Sequence, residues 1–385
     1  MALAQTLLAE GRQDSEQSFY IVDLQAIDNT MSTWGEVLPR VHPFYAIKCN
    51  PDMGILRVVA EAGGDFDCAS PSEIDRVLSL GVSPSRILYA NPCKRKKDLR
   101  HALAKGVTTV TLDSVFEVDK LAEVCGTQMS ALLRVYASDP HAQCLLSTKF
   151  GAHPSEWPAI LQRFVDTGVP MAGISFHVGS GACTPDAFES AVEEARACID
   201  LARSMGLTPS IIDVGGGFVP ATFERIGATL RAALDAHFPS EEGFTLIAEP
   251  GRLIAEQCAH LVCPVIGKRI KDEHHQYWIA DGLYGSFNCM LYDHAHPPTP
   301  ILLTATHNHP QISVVAKSKV VGESCDSIDE IHSDIELPIL DIGDWLLYPN
   351  MGAYTIAGAS CFNGIPFYNT PSVYTRLGTP SAFPI

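Results

Sequence analysis

Pro43-Phe-Tyr-Ala-Ile-Lys-Cys-Asn50 is a short apolar and aromatic run held between a proline and the turn pair Asn50-Pro51. This is the pattern of a buried strand that stops at a turn. It closes on Lys48. A lysine at the end of such a strand is poorly solvated, which lowers its pKa and makes its free amine available. Amines of that kind attack carbonyls and form Schiff bases. Taken alone, the stretch is more often a lysine whose stem lies along apolar surface while its head reaches water. The rest of the chain decides between the two readings.

On either side the chain alternates. Ser18-Phe-Tyr-Ile-Val-Asp23 reads as a strand and residues 24–38 as a helix, while residues 1–18 are polar and read as loose. After Lys48, residues 54–61 have a helical pattern and Gly63-Gly64-Asp-Phe-Asp67 leads into a short strand. Ser70-Pro71-Ser72-Glu73 is a helix start, with a serine cap, proline at the first position and an acid in the first turn. Strand-like segments recur at residues 86–89, 108–112, 131–135, 174–177, 210–214 and 245–248. Helical patterns separate most of them, as at 187–205 and 223–238. Strands alternating with helices predict an α/β fold with a parallel sheet. About eight such units between residues 23 and 255 fit a closed (β/α)8 barrel.

Past Arg252 the texture changes. Strand-like runs at 260–266, 276–279, 311–321, 345–348 and 353–357 are separated by turn residues, and only 326–332 suggests a short helix. The expected architecture is a barrel over residues 23–255 and a separate all-β domain. That second domain is formed by residues 1–22 plus 256–385, so that it takes in the N-terminal strand. Lys94-Arg-Lys-Lys97, the only dense charge run, reads as a solvated helix start.

Composition narrows the function. The 385 residues carry a net charge of −17, which argues against a nucleic-acid backbone or an anionic membrane as partner and favours cationic small molecules. Residues 1–11 have neither a basic start nor a long apolar core, and no run approaches the length of a membrane span. The 12 cysteines include no C-x-x-C pair, the usage of reduced thiols in a cytoplasmic protein.

In a barrel of this kind the chemistry sits at the C-terminal ends of the strands. Read in order, those ends give Lys48, Asp67, Arg134, His177 with Ser180, the turn Gly215-Gly216-Gly217, and Glu249 with Gly251 and Arg252. A phosphorylated aromatic aldehyde needs such a set. A lysine forms the imine, the N–H groups of a glycine turn cradle the phosphate, and a carboxylate keeps the pyridine nitrogen protonated. Each piece alone is weak. A glycine triplet also makes simple tight turns, His177 alone is more often a core histidine, and Glu249-Pro-Gly-Arg252 alone reads as an ion pair at a turn. The order and common placement make them informative.

Longer motifs then resemble the eukaryotic-type ornithine decarboxylases, from about residue 19 to about residue 367. They are residues 43–50, Phe66-Asp-Cys-Ala-Ser70, Tyr89-Ala-Asn-Pro-Cys93, Ser175-Phe-His-Val-Gly-Ser-Gly181, residues 213–218, Ala248-Glu-Pro-Gly-Arg252, Asp281-Gly-Leu-Tyr-Gly-Ser-Phe-Asn288 and Asn350-Met-Gly-Ala-Tyr354. The resemblance implies a pyridoxal 5'-phosphate enzyme working as a head-to-tail homodimer with sites shared across the interface. In it Lys48 is the Schiff-base lysine, Glu249 the partner of the pyridine nitrogen, and His177 stacks on the ring. Ser180, the glycine turn, Arg252 and Tyr354 hold the phosphate, with Asp67 and Arg134 nearby. Cys325 matches the family residue that returns a proton to the substrate's α carbon from across the dimer. Asp326 and Asp293, with Tyr292 and Phe362 beside them, would face the distal ammonium of a diamino acid. Two carboxylates there suit a buried ammonium, which must be paired.

The expected reaction is therefore decarboxylation of a basic diamino acid, ornithine first. Lysine, or both, is the nearest alternative, and a non-catalytic homologue that binds a regulatory protein is the alternative from another class. Gly322-Glu323-Ser324 departs from the family's Gly-Pro-Thr, which puts a carboxylate next to the substrate-facing loop and removes a rigid proline. His294, His296, His307 and His309 form two H-x-H pairs but lack an accompanying ligand pattern, so they read as loop histidines and no metal is expected.

Overall fold

The short apolar runs and the helices between them close into a barrel because each strand is buried on both faces. In the computed structural model, which describes residues 2–9, 16–271, 274–303, 314–376 and 379–380, β1 (Phe19–Asp23) feeds the helix Leu24–Val37. The barrel strands follow: β2 (Val41–Ala46), β3 (Asp65–Cys68), β4 (Ile87–Tyr89), β5 (Thr109–Leu112), β6 (Ser130–Arg134), β7 (Met171–Ser175), β8 (Ile211–Asp213) and β9 (Thr245–Ala248). All are parallel to their neighbours, and β9 pairs back onto β2 through Val41 and Leu246. Leu88, Leu132 and Ile247 fill part of the interior, with Phe44, Ala172 and Ile211 packed against them. Each fully buried aliphatic side chain of this kind contributes about 2 kcal/mol.

Two caps fix the loops that follow β2 and β3. Asp52 Oδ1 accepts from the N–H groups of Gly54 and Ile55 at 2.9 and 3.2 Å, starting the helix Met53–Glu61. Ser70 Oγ accepts from Glu73 N at 3.3 Å, and Glu73 returns a carboxylate oxygen to Ala69 N at 2.5 Å. That reciprocal pair begins the helix Pro71–Leu78. The loops bearing Lys48 and the residues after Asp67 are thereby anchored.

The second compact unit comprises Met1–Ile27 and Ala255–Ile385, and the barrel unit Asp28–Ile254. Its strands are β1, β10 (Ala259–Lys271), β11 (His274–Ile279), β12 (Ile301–Leu303), β13 (Val315–Val321), β14 (Glu330–Pro338), β15 (Trp345–Tyr348), β16 (Ser372–Arg376) and β17 (Thr379–Pro380). Among the described residues they form one nine-stranded sheet, with the path β14-β13-β11-β10-β1-β16-β17 and with β12 and β15 branching from β10. The first half of β10 pairs with β1 and β15; after a bulge between Val265 and Gly267 its second half pairs with β11. β1 lies between β10, antiparallel, and β16, parallel.

Four local expectations differ from what is observed. Part of the N-terminal tail is not loose: Ala2–Ala9 is a helix, and Ala4 and Leu8 pack on Phe19, Val262, Trp345 and Leu347. Residues 326–332 are no helix, because Glu330–Pro338 is recruited as the edge strand beside β13. Residues 353–357 are no strand; Tyr354 has φ +56° and Ile356–Gly358 forms a single 3-10 turn. Lys94 is not solvated but only 3% exposed, and its ammonium donates to the carbonyls of Asn91, Pro92 and Thr111 at 2.8, 3.2 and 2.5 Å. His307, His309 and the first residues of the strand expected at 311–321 lie outside the described residues, as do residues 272–273.

Candidate active site

Parallel strands deliver their C-terminal ends to one mouth of the barrel, and the titratable side chains gather there. β2 ends at Ala46, so Lys48 follows the strand instead of closing it, in a single 3-10 turn Ile47–Cys49. Its side chain is 40% exposed, whereas Ile47 and Cys49 are buried. Poor solvation is therefore not what holds the ammonium. It donates to Oδ2 of Asp67, a β3 residue with no exposure. The other oxygen, Oδ1, is buried with no hydrogen-bond partner among the described residues.

On the other flank of β2, which pairs with β9 as well as β3, lies a pair of acids. Asp213 ends β8 and Glu249 follows β9; they are 0% and 8% exposed. Burial pushes both carboxyls up and Asp67 raises both further; Asp213 also raises Glu249, whereas the Gly215 N–H, Glu249 and Arg134 draw Asp213 down and Lys48 and Arg134 draw Glu249 down. The sequence motif singles out the glycines after Asp213 but not Asp213 itself. Its signal was present in the sequence as an acid at the end of a strand, directly before a glycine turn.

Arg134, at the end of β6, is buried with its guanidinium 5.2 Å from the Phe150 ring. Burial lowers its pKa, and Glu249, Asp113, Asp213 and Asp67 oppose that. His177 follows β7, and its Nδ1 accepts from Gly179 N at 3.1 Å. Burial first, then Arg134 and Lys48, hold the imidazole well below its ordinary pKa. It is neutral, with its proton on Nε2.

The glycine turn closes the mouth. Gly215 has φ +66°, and a Cβ there would stand 2.1 Å from the Phe176 carbonyl oxygen; Gly217 has φ +105°, and a Cβ would stand 2.5 Å from that of Gly179. Only glycine fits either place. Arg252, one residue past Gly251 at the start of a short helix, donates from Nη2 to Ser180 Oγ at 3.2 Å. Lys48, Asp67, Arg134, His177, Ser180, residues 215–217, Glu249, Gly251 and Arg252 thus belong to one barrel mouth.

These residues fit pyridoxal phosphate. The turn leaves a concavity that a Cβ would fill, flanked by an arginine and a serine hydroxyl, which suits a phosphate. The buried Asp213–Glu249 pair, raised in proton affinity, and the unsatisfied Asp67 Oδ1 suit a protonated ring nitrogen.

The remaining predicted residues lie in the second unit. Cys325 is exposed, and its N–H donates to Asn363 Oδ1 at 2.9 Å. Asp326 accepts from the Tyr284 hydroxyl and from Ile328 N; the Tyr284 bond is the main reason its carboxyl sits below the ordinary value. Phe362 stacks on Tyr284 with ring centroids 4.0 Å apart. Tyr284 and Asn363 were missed by sequence reasoning, and their polar tips are what orient the Cys-Asp pair. Asp293 is buried, Tyr292 is 74% exposed, and Tyr354 keeps its left-handed backbone. Glu323 is half-buried, and burial followed by Asp329 raises its carboxyl. Among the described residues no group of three or more His, Cys, Asp or Glu side chains has the arrangement of a metal site.

Residues 24–256 match the pyridoxal-binding domain of the pyridoxal-dependent decarboxylases. Over 97% of its length the chain is 40% identical to a chloroplastic ornithine decarboxylase of Nicotiana glutinosa, covering 87% of that protein. The structure is similar to that of the Paramecium bursaria Chlorella virus arginine decarboxylase bound to agmatine, with a TM-score of 0.91 and 34% identity over 97% of this chain and all of that one. It is also similar to the lysine/ornithine decarboxylase of Vibrio vulnificus complexed with putrescine, with a TM-score of 0.82 and 29% identity over 94% of each chain.

Proposed function

The chain belongs to the pyridoxal-dependent decarboxylases, and from that premise we propose that it converts L-ornithine to putrescine and carbon dioxide. It is a pyridoxal-phosphate-dependent lyase acting on a cationic amino acid. One observation carries the reading: the Lys48 amine is paired with buried Asp67 in the same mouth as the Asp213 and Glu249 acids, the neutral His177 and the glycine turn.

Bound pyridoxal phosphate supplies a ring that takes up the electron pair left when carbon dioxide departs. The chain's own groups do the rest. Lys48 Nζ is the amine that would hold the cofactor through its aldehyde. Asp67 orients that amine toward the mouth while it is free. Glu249, backed by Asp213, holds a proton at the ring nitrogen, and two buried acids in place of one keep it there in a site that excludes water. His177, a neutral imidazole, would face the ring. Ser180, Arg252, Tyr354 and the N–H groups of residues 215–217 hold the phosphate, and Arg134 compensates the acids.

The substrate's distal ammonium goes to Asp326 and Asp293, with Tyr292 and Phe362 alongside, and Cys325 Sγ delivers a proton to the α carbon. In this reading the protein is a cytoplasmic homodimer whose Cys325 and Asp326 serve the neighbouring subunit. Among the described residues no helix is long and apolar enough to cross a membrane. Ornithine is favoured by the ornithine decarboxylases among the relatives. One methylene is worth only about 1–3 kcal/mol in a pocket, so lysine is the competing substrate.

The test is carbon dioxide release by the purified holoenzyme from ornithine, lysine, arginine and diaminopimelate, with product masses. The highest kcat/KM on ornithine, giving putrescine, is expected. A preference for lysine moves the substrate and keeps the mechanism; no release from any of the four overturns the assignment.

A further inference from the structure

Asp139 lies five residues beyond Arg134, in the stretch that leaves β6, and is fully buried. None of the catalytic roles above uses it. Its carboxylate accepts four hydrogen bonds: Oδ1 from His141 N and Thr184 Oγ1, both at 2.9 Å, and Oδ2 from the backbone N–H groups of Cys183 and Thr184, both at 2.8 Å. Its own N–H donates to the Val178 carbonyl at 2.7 Å. Burial pushes the carboxyl up, but the His141, Thr184 and Cys183 donors outweigh it and leave it below the ordinary value. It is thus a fixed anion around which two loops are tied.

The loop it grips is the one after β7, which bears Ser180. Cys144, from the Asp139 side, exchanges backbone bonds with Ser180 at 3.0 and 3.1 Å. Ala182 N donates to the Gly217 carbonyl at 2.9 Å, joining the same loop to the glycine turn. Thr184 precedes the helix Pro185–Ser204 and makes no side-chain cap of its own, because its hydroxyl is given to Asp139. Residues 178–184 are therefore clamped between Asp139 on one side and Gly217 on the other.

We propose that Asp139 is a positioning residue that sets the place of Ser180 and the glycine turn, and through them the enzyme's affinity for the phosphate of its cofactor. The inference rests on the reading above that Ser180 and the turn hold that phosphate. Asp139→Asn keeps the volume but turns an –NH2 group, or a weaker acceptor, toward the Cys183 and Thr184 amides.

The test dialyses full-length holoenzyme against falling concentrations of pyridoxal phosphate, and in parallel against unphosphorylated pyridoxal, reading bound cofactor by visible absorbance. Asp139→Asn is expected to weaken pyridoxal phosphate about tenfold, the scale of one charge-assisted hydrogen bond, and pyridoxal less than twofold. Adding it to Ser180→Ala should cost less than the product of the two single losses, since the two variants share the Ser180 contact while the glycine turn still depends on Asp139. Equal weakening of both cofactors, or losses that multiply in the double variant, would make Asp139 a general structural residue and overturn the proposal. Wild-type affinity in Asp139→Asn beside a weakened Ser180→Ala overturns it while sparing the phosphate reading. An unaffected Ser180→Ala removes that reading and the proposal with it. Thr184→Val, which deletes a single donor, decides the matter if Asp139→Asn does not fold: about a threefold loss specific to the phosphate form is expected, and no loss overturns the proposal.

Discussion

Asp213 and Glu249 are tied through one residue: Gly215 donates its N–H to Asp213 Oδ1 at 2.9 Å and accepts from Glu249 N at 2.6 Å. The two acids cannot move independently, and the strand ends of β8 and β9 set their spacing. Both carboxyls are raised by burial, so in the cofactor-free chain the native state holds a proton that the unfolded chain releases near pH 4. Their contribution to stability is whole below that value and is lost as pH rises through the raised native pKa. Asp213→Asn should flatten this fall in urea midpoints measured across pH 4–8 on cofactor-free protein. In the holoenzyme, Glu249→Gln should lower kcat by about 10²-fold or more, because the proton at the ring nitrogen loses its counter-charge.

Lys48→Ala should reduce turnover by about three orders of magnitude or more, with loss of the visible band of the lysine-bound cofactor. It also leaves Asp67, which has no exposure, without its cation. Adding Asp67→Asn should therefore recover about 1 kcal/mol of the stability lost by Lys48→Ala, a modest figure because the lysine is 40% exposed. Urea melts of the single and double variants read this directly.

At the distal end, Asp326→Asn should raise KM for ornithine by about 10- to 100-fold, the worth of a hydrogen bond to a charged group. The effect on kcat should be small. Tyr284→Phe removes the phenol that orients the same carboxylate, and a rise of about threefold is expected. Steady-state kinetics on ornithine separate the two.

Lys94 carries a prediction unrelated to the chemistry. Burial lowers its pKa to about 8, below the unfolded value near 10.4. Its contribution to stability is therefore full above the unfolded value and is lost as pH falls through about 8. Lys94→Met should abolish that dependence. It should also cost about 2–3 kcal/mol at neutral pH, because the Asn91, Pro92 and Thr111 carbonyls lose their donor. Denaturant midpoints from pH 7 to 10 test both statements.

The barrel was legible because the strands before Lys48, His177 and Glu249, and the one ending at Arg134, are compact apolar runs, with helices of ordinary length between most of them. The edge strand β14 was not. Its sequence, Glu330-Ile-His-Ser-Asp-Ile-Glu-Leu-Pro338, has the polar content of a surface segment, and only pairing with β13 makes it a strand. Lys94 was misread for a similar reason: within a run of four cations nothing local shows which one turns inward toward carbonyls. Asp213 and Tyr284 were visible as letters, yet what each does depends on partners distant in sequence, Glu249 and Asp326.

The place of β1 between β10 and β16 has a consequence for biosynthesis. Phe19-Tyr-Ile-Val-Asp23 leaves the ribosome more than 200 residues before its partners, since Phe19 pairs with Val262 and Tyr20 with Ser372. Until those partners are made, this apolar strand has two unpaired edges, although every strand of the barrel is made before them. Such an edge is a template for illegitimate pairing with other nascent chains. Yield from the cell is accordingly expected to be governed less by the barrel's stability than by how well this one early strand is shielded until the last strands arrive.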